Sequence, residues 1–210
     1  MRVTFYFDGF NFYNGLKDKS NIDRTWKNYY WLDLVKFCNE FLSEEHSLVK
    51  VKYFTAPPSD DLQRSKQSAF FAANKLLNRD LVEIIKGKYQ NKDILCKICK
   101  KVFIGQEEKR TDVNISLNMA MDCVLNNTDI LILVSADSDQ IPTIQTIKTN
   151  FPDKKVKVYF PPQRNSADIL SICKPIVFLD DNEDKFKNAV MNTIVTNGIK
   201  NCTRPENWKK

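Results

Sequence analysis

Histidine occurs once in these 210 residues, at His46. A paired-histidine ribonuclease or a Ser-His-Asp triad therefore lacks its material, and His46 reads as an exposed residue at a helix end. Neither a G-x-x-x-x-G-K-S/T loop nor a G-x-G-x-x-G turn occurs, which argues against NTPase and dinucleotide chemistry. Glycine (5) and proline (8) are scarce, so collagen-like and low-complexity readings fail. The longest aliphatic run, Ile130 to Val134, has five residues, far below the roughly 20 of a membrane-spanning helix. The opening stretch MRVTFYFDGF has no apolar segment of signal-peptide length, so no membrane association and a cytoplasmic location are expected. Six cysteines are too sparse for a disulfide scaffold, and Cys38 and Cys123 fall on helices where burial explains them.

The chain holds 42% hydrophobic and 11% aromatic residues, enough for one well-buried core. Its net charge is +6, and the excess is concentrated. Residues 86–110 carry eight bases (Lys86, Lys88, Lys92, Lys97, Lys100, Lys101, Lys109, Arg110) against three acids (Asp93, Glu107, Glu108). That segment would attract a polyanion, and a solvated lysine-rich hairpin is the plainer alternative.

Periodicity gives a strand at Arg2 to Phe7 ending in an Asp8-Gly9 turn, a helix at Trp31 to Phe41, a strand at Leu48 to Phe54, and a long helix from Asp60 and Asp61 to Asn78. A β-rich stretch at Leu81 to Ile85 follows, and then a basic, hairpin-like excursion over 86–104. Regular alternation resumes with a helix at Asp112 to Asn126, an apolar strand at Asp129 to Val134, and a helix near Gln140 to Thr149. A strand at Lys155 to Phe160, a short helix after Asn165, a strand near Ile176 to Leu179 and a helix starting near Asn182 complete the pattern. Alternating strands and helices predict an α/β fold with a mostly parallel, doubly wound central sheet. The polar, basic end from Lys200 to Lys210 is expected to be mobile or to touch substrate.

In such a sheet, ligands bind at the carboxyl ends of the strands. Asp8 follows the first strand, and Asp137 and Asp139 follow the strand ending at Val134. If those strands are neighbours, three carboxylates converge; Asp112, which opens the helix before that strand, is a fourth candidate whose approach spacing does not fix. Singly, each has a structural explanation: Asp8-Gly9 as a turn, Asp139 as a helix cap, Asp112 as a first-turn acid. Together they imply a divalent cation, because clustered like charges disfavour joint ionisation and Mg²⁺ or Mn²⁺ takes oxygen ligands.

Three motifs carry a resemblance. Phe7-Asp8-Gly9-Phe10-Asn11, Glu108-Lys109-Arg110-Thr111-Asp112-Val113 and Leu133-Val134-Ser135-Ala136-Asp137-Ser138-Asp139-Gln140-Ile141-Pro142 together resemble the NYN-domain family, relatives of PIN-domain nucleases. Tyr53 to Ala56, Lys86 to Tyr89 and Phe160 to Arg164 are similar to further segments of its bacterial members. The resemblance implies a PIN-like three-layer sandwich over residues 1–180, interrupted by the basic hairpin at 86–110, with a C-terminal helix and basic tail over 181–210. It implies a metal-dependent endoribonuclease in which Asp8, Asp112, Asp137 and Asp139 hold Mg²⁺ or Mn²⁺, while Asn11 and Ser135 support metal or phosphate. Lys109 and Arg110, in the basic segment, would bind the substrate backbone, and Tyr89 or Phe103 would stack on an unpaired base. RNA is the expected partner; DNA and a homodimer are left open.

One departure stands out: many members carry an acid six residues after the one matching Asp112, where this chain has Asn118, with Asp122 a turn further on. A weaker second metal site or altered activity would follow. Cys96 and Cys99 have metal-ligand spacing without a visible second pair, so Zn²⁺, a redox pair and two ordinary thiols are the alternatives. Three rival functions share part of this pattern. A nucleic-acid-binding regulatory module would keep the acids without turnover. A nucleotide-sugar transferase using Asp-x-Asp gives Asp8 and Asp112 no role, and a haloacid-dehalogenase-like phosphatase needs an acid where Phe10 stands.

Overall fold

Side chains alternate along the first strand, and the alternation decides the layers. In β1 (Arg2–Asp8), Val3, Phe5 and Phe7 enter one apolar cluster while Tyr6 enters another. In β6 (Ile130–Val134), Ile130, Ile132 and Val134 join the first cluster, and Leu131 and Leu133 the second. A strand buried on both faces has to read as continuous apolar sequence, which explains the Ile130 to Val134 run. The structure, a computed structural model, describes residues 1–95 and 98–208, with backbone alone for 90–92, 94 and 103–108.

The remaining strands of the main sheet are β2 (Ser47–Thr55), β3 (Val82–Lys86), β7 (Lys155–Phe160) and β8 (Ile176–Phe178). The six strands run in the order β3-β2-β1-β6-β7-β8, and every pairing is parallel. The chain begins in the middle, builds outward through β2 and β3, and returns to lay β6 against the free side of β1. The junction between β1 and β6 is the switch point of a doubly wound sheet. Helices α1 (Gly9–Ile22), α2 (Leu34–Asn39), α3 (Asp61–Leu77) and α7 (Glu183–Ala189) contribute Phe12, Phe37, Phe70 and Phe186 to one face. Helices α4 (Thr111–Val124), α5 (Ile141–Asn150) and α6 (Ala167–Ile172) bring Ile115, Ile144 and Ile169 to the other. Each such fully buried side chain stabilises the fold by about 1.5–3 kcal/mol. The result is the α/β, three-layer, PIN-like sandwich expected from the sequence, with a central sheet that is wholly parallel.

Two local differences bear on the site. No turn follows β1: Asp8 accepts the Asn11 N–H at 3.0 Å and caps α1, which starts at Gly9. A Cβ on Gly9 would lie 2.4 Å from the Tyr53 ring and 2.5 Å from the Phe54 carbonyl oxygen, so only glycine lets this helix begin so close to the end of β2. The helix expected over Trp31 to Phe41 is shorter, with Asp33 capping it through the Val35 and Lys36 N–H groups.

The basic excursion is an antiparallel hairpin, β4 (Lys88–Leu95) with β5 (Val102–Lys109). Its base is fixed at Gly87, whose N–H donates to the Thr55 carbonyl at 2.7 Å. A Cβ there would lie 2.6 Å from Thr111 Oγ1 and 2.8 Å from the Lys109 carbonyl. At the C-terminus, β9 (Ile194–Thr196) pairs with β10 (Asn201–Thr203), and Trp208 is buried beside Tyr30 and Trp31. The end expected to be mobile is paired and packed as far as Trp208. Among the described residues, no helix is long and apolar enough to cross a membrane.

Candidate functional site

Because β1 and β6 are neighbours, Asp8 and the loop after Val134 meet at the carboxyl edge of the sheet. Asp112 arrives from the other direction, in the first turn of α4. One carboxylate oxygen from each of Asp8, Asp112 and Asp137 lies within 4.8 Å of the other two. A cation bound at about 2.1 Å to two opposed oxygens holds them roughly 4.2 Å apart. The three acids are therefore within a small side-chain rotation of a shared hard cation, and an all-oxygen donor set suits Mg²⁺ or Mn²⁺.

Hydrogen bonds preset this arrangement. Ser135 Oγ donates to Asp8 Oδ2 at 2.8 Å and accepts the Asp137 N–H at 3.0 Å. Asn11 works from both ends: its backbone N–H holds Asp8 Oδ1, and its side-chain Oδ1 accepts the Ala136 N–H at 3.1 Å. Gln140 Nε2 donates to Asp112 Oδ1 at 3.0 Å; Gln140 is fully buried, and its Oε1 has no partner among the described residues. Nothing in the residue type of Gln140 signals this contact in the sequence.

Asp8 is 4% exposed. Burial pushes its carboxyl up to about 6, against the pull of the Asn11 and Ser135 hydrogen bonds, and the charges of Asp112 and Asp137 add to the rise. Asp112 is raised as well, first by burial and then by Asp137. Burial and the neighbouring like charges thus both disfavour joint ionisation of these carboxyls. Asp139 is exposed and stands outside the group of three, although its charge acts on Asp112. It does not cap α5, whose N-terminus has no side-chain cap; Asp137 instead caps the short 3₁₀ turn Ser138–Gln140 by accepting the Asp139 N–H at 3.0 Å.

Lys109 and Arg110 are exposed, directly ahead of α4, and Arg110 sits at φ 77° in the left-handed region. Asp122 is absent from the acidic group. It lies on the buried side of α4, where it takes an ion pair from Lys52 at 2.7 Å and the Tyr6 hydroxyl at 2.6 Å. Asn118 accepts from the same Lys52 at 3.1 Å. His46 hydrogen-bonds Ser43 in the turn before β2, at the opposite edge of the sheet from Asp8. Cys99 is exposed, while Cys96 lies outside the described residues, as does the Phe103 side chain.

A cavity of about 320 Å³ opens beside Asp8, between α1 and α3. Ten of its 19 lining residues are aromatic and none is acidic, so it is chemically unlike the carboxylate group it adjoins.

A six-stranded parallel sheet with carboxylates gathered at its switch point defines a PIN-like α/β sandwich. The chain matches the NYN domain over residues 2–180 and belongs to that family. It is 25% identical over 194 residues to 6-hydroxy-3-succinoylpyridine 3-monooxygenase HspA of Pseudomonas putida (strain DSM 28022 / S16), covering 77% of this chain and 60% of that protein. The chain thus spans about 60% of that curated relative's length. In fold it is similar to a protein of unknown function from Vibrio parahaemolyticus RIMD 2210633, with a TM-score of 0.54 and 19% identity over 90% of this chain and 96% of that one.

Proposed function

We propose that this chain is a Mg²⁺- or Mn²⁺-dependent endoribonuclease acting at Asp8, Asp112 and Asp137, with Asp139 at the rim. The observation that carries the reading is the convergence of three carboxylates from distant segments at one switch point, in a family that is generally nucleolytic. Asp8, Asp112 and Asp137 would hold the ion, which when bound supplies Lewis-acid chemistry to phosphodiester hydrolysis. Ser135 and Asn11 fix the two oxygens of Asp8, so the acid meets its ligand without rotamer search. Lys109 and Arg110 stand two or three residues before Asp112, where they would neutralise the backbone of an incoming strand.

Labelled single-stranded RNA incubated with the protein, with and without EDTA and beside Asp137→Asn, tests this. Cleavage that stops in EDTA and in the variant is expected. Tight metal-independent binding without cleavage of RNA or DNA would replace the enzyme with a regulatory module.

A second reading rests on the relative named for a pyridine monooxygenase and on the aromatic cavity beside Asp8: a small heteroaromatic substrate. Calorimetric titration with a hydroxypyridine tests it, and saturable binding in that cavity would favour it over the strand.

A further inference from the structure

The cavity begins where the acidic group ends. Gly9 and Phe10, the two residues after Asp8, both line it, and two peptide steps of 3.8 Å put the Phe10 Cα within about 8 Å of the Asp8 Cα. From there α1 forms one wall, the start of α3 the other, and the end of β2 the floor. Phe10 is 54% exposed, a large ring kept at the surface at the mouth of an aromatic cavity. Tyr89 joins the lining from the basic hairpin, so the same element that carries the positive charge also forms part of the wall.

The polar groups in the lining are amides. Gln67 Nε2 donates to Thr55 Oγ1 at 3.0 Å and to the Ala56 carbonyl at 3.3 Å, leaving its Oε1 to accept. The Asn14 and Gln63 side-chain amides have no hydrogen-bond partner among the described residues, and Lys17 is the single charged lining residue. Rings for a flat face and amides for a polar edge recognise a nucleobase. A metal or an isolated phosphate would find no ligand set in this lining. A basic track beside a stacking platform is also the combination by which proteins hold unpaired strands.

We propose that this cavity receives one unpaired nucleobase of the strand whose phosphate lies at the acidic group, stacked on Phe10. The proposal rests on the nuclease reading for its phosphate and supplies that site with a single-strand requirement: a base held in a duplex stack cannot enter. It also gives the enzyme a register, because the distance from Phe10 to Asp8 fixes which phosphate reaches the carboxylates.

A short single-stranded RNA carrying one 2-aminopurine, moved along the sequence, is titrated with the protein in EDTA, so that binding is read apart from cleavage. Fluorescence quenching at one position is expected, at the base adjoining the phosphate cut when Mn²⁺ is added. Phe10→Ala should lose that quench and bind about tenfold more weakly, and Phe10→Trp should keep both. Thermal melting of the variants checks the fold, which an exposed position leaves intact. Equal affinity and equal quenching for Phe10→Ala at every position would overturn the proposal. So would free 2-aminopurine riboside binding as tightly as the strand, which would mark a site for small heteroaromatic molecules. Position-specific quenching without any cleavage would sustain the base site and sink the nuclease reading instead.

Discussion

Ser135 Oγ stands 2.8 Å from Asp8 Oδ2 and 3.0 Å from the Asp137 nitrogen, so one hydroxyl donates to the first acid and accepts from the backbone of the second. Removing it takes one partner from a buried acceptor, at a desolvation cost of about 1–3 kcal/mol, and frees a part-buried N–H. The Ser135 bond also draws the Asp8 carboxyl downward against burial. Ser135→Ala is expected to raise that carboxyl further above about 6 and to move the pH midpoint of Mn²⁺ binding upward, because the ligand must lose its proton first. Calorimetric titrations across pH 5 to 8 measure the midpoint. An unchanged midpoint would mean that the hydroxyl does not tune the acid.

The same acid makes metal-free stability depend on pH in an unusual direction. Its carboxyl is raised from 3.8 to about 6 in the folded chain, so between those values the folded state holds a proton that the unfolded state has lost. Stability therefore falls as pH rises through that window, by about 3 kcal/mol in total. Asp8→Asn removes the titration. In EDTA at pH 7.5 the variant is expected to melt several degrees above the wild type, and at pH 4 the two should nearly coincide. Mn²⁺ should then stabilise the wild type and leave the variant unmoved. A lower melting temperature for Asp8→Asn in EDTA at pH 7.5 would contradict the argument.

The sheet was legible because its signal is local. Val3 to Phe7 and Ile130 to Val134 carry enough apolar bulk to read as strands unaided, and the rule about strand ends then picks out Asp8 and Asp137. Helix α1 was not legible: of its 14 residues the buried ones are Gly9, Phe12, Gly15, Leu16 and Ser20, just two of them large and apolar. Gln140 and the pairing of Lys52 with Asp122 stayed hidden for another reason. They depend on residues that are far apart in sequence and become neighbours only after the layers have packed. Trp208 likewise sits in a polar tail, and its partners Tyr30 and Trp31 lie at the other end of the chain.

The basic residues ahead of α4 make a salt-dependent prediction. Each phosphate neutralised on a single strand contributes a slope of about −0.7 in log affinity against log salt. Lys109→Ala and Arg110→Ala should each weaken RNA binding and flatten that slope by about 0.7, with little change in melting temperature because both side chains are exposed. Fluorescence anisotropy at several salt concentrations reads both quantities. Weaker binding at an unaltered slope would indicate that the substitutions act through the fold and not through phosphate.

Asp122 separates a structural acid from the acidic group on the same helix. It is 5% exposed and Lys52 9%, the Lys52 ammonium also lies 5.8 Å from the Tyr6 ring centre, and Asn127 Nδ2 donates to the second Asp122 oxygen at 3.1 Å. Removing one member of a buried pair strands the other charge, at a cost of about 3–5 kcal/mol. Asp122→Asn and Lys52→Met are each expected to lower stability by about that amount, while Mn²⁺ affinity, measured on the folded fraction, stays within about twofold. Replacing both by apolar residues should restore much of the loss, since neither charge is then left alone. Asp112→Asn should behave in the opposite way, with stability nearly kept and Mn²⁺ affinity lost. If Asp122→Asn instead abolished Mn²⁺ binding without destabilising the chain, Asp122 would be a ligand that swings toward the site, and the ion pair with Lys52 would be its resting position.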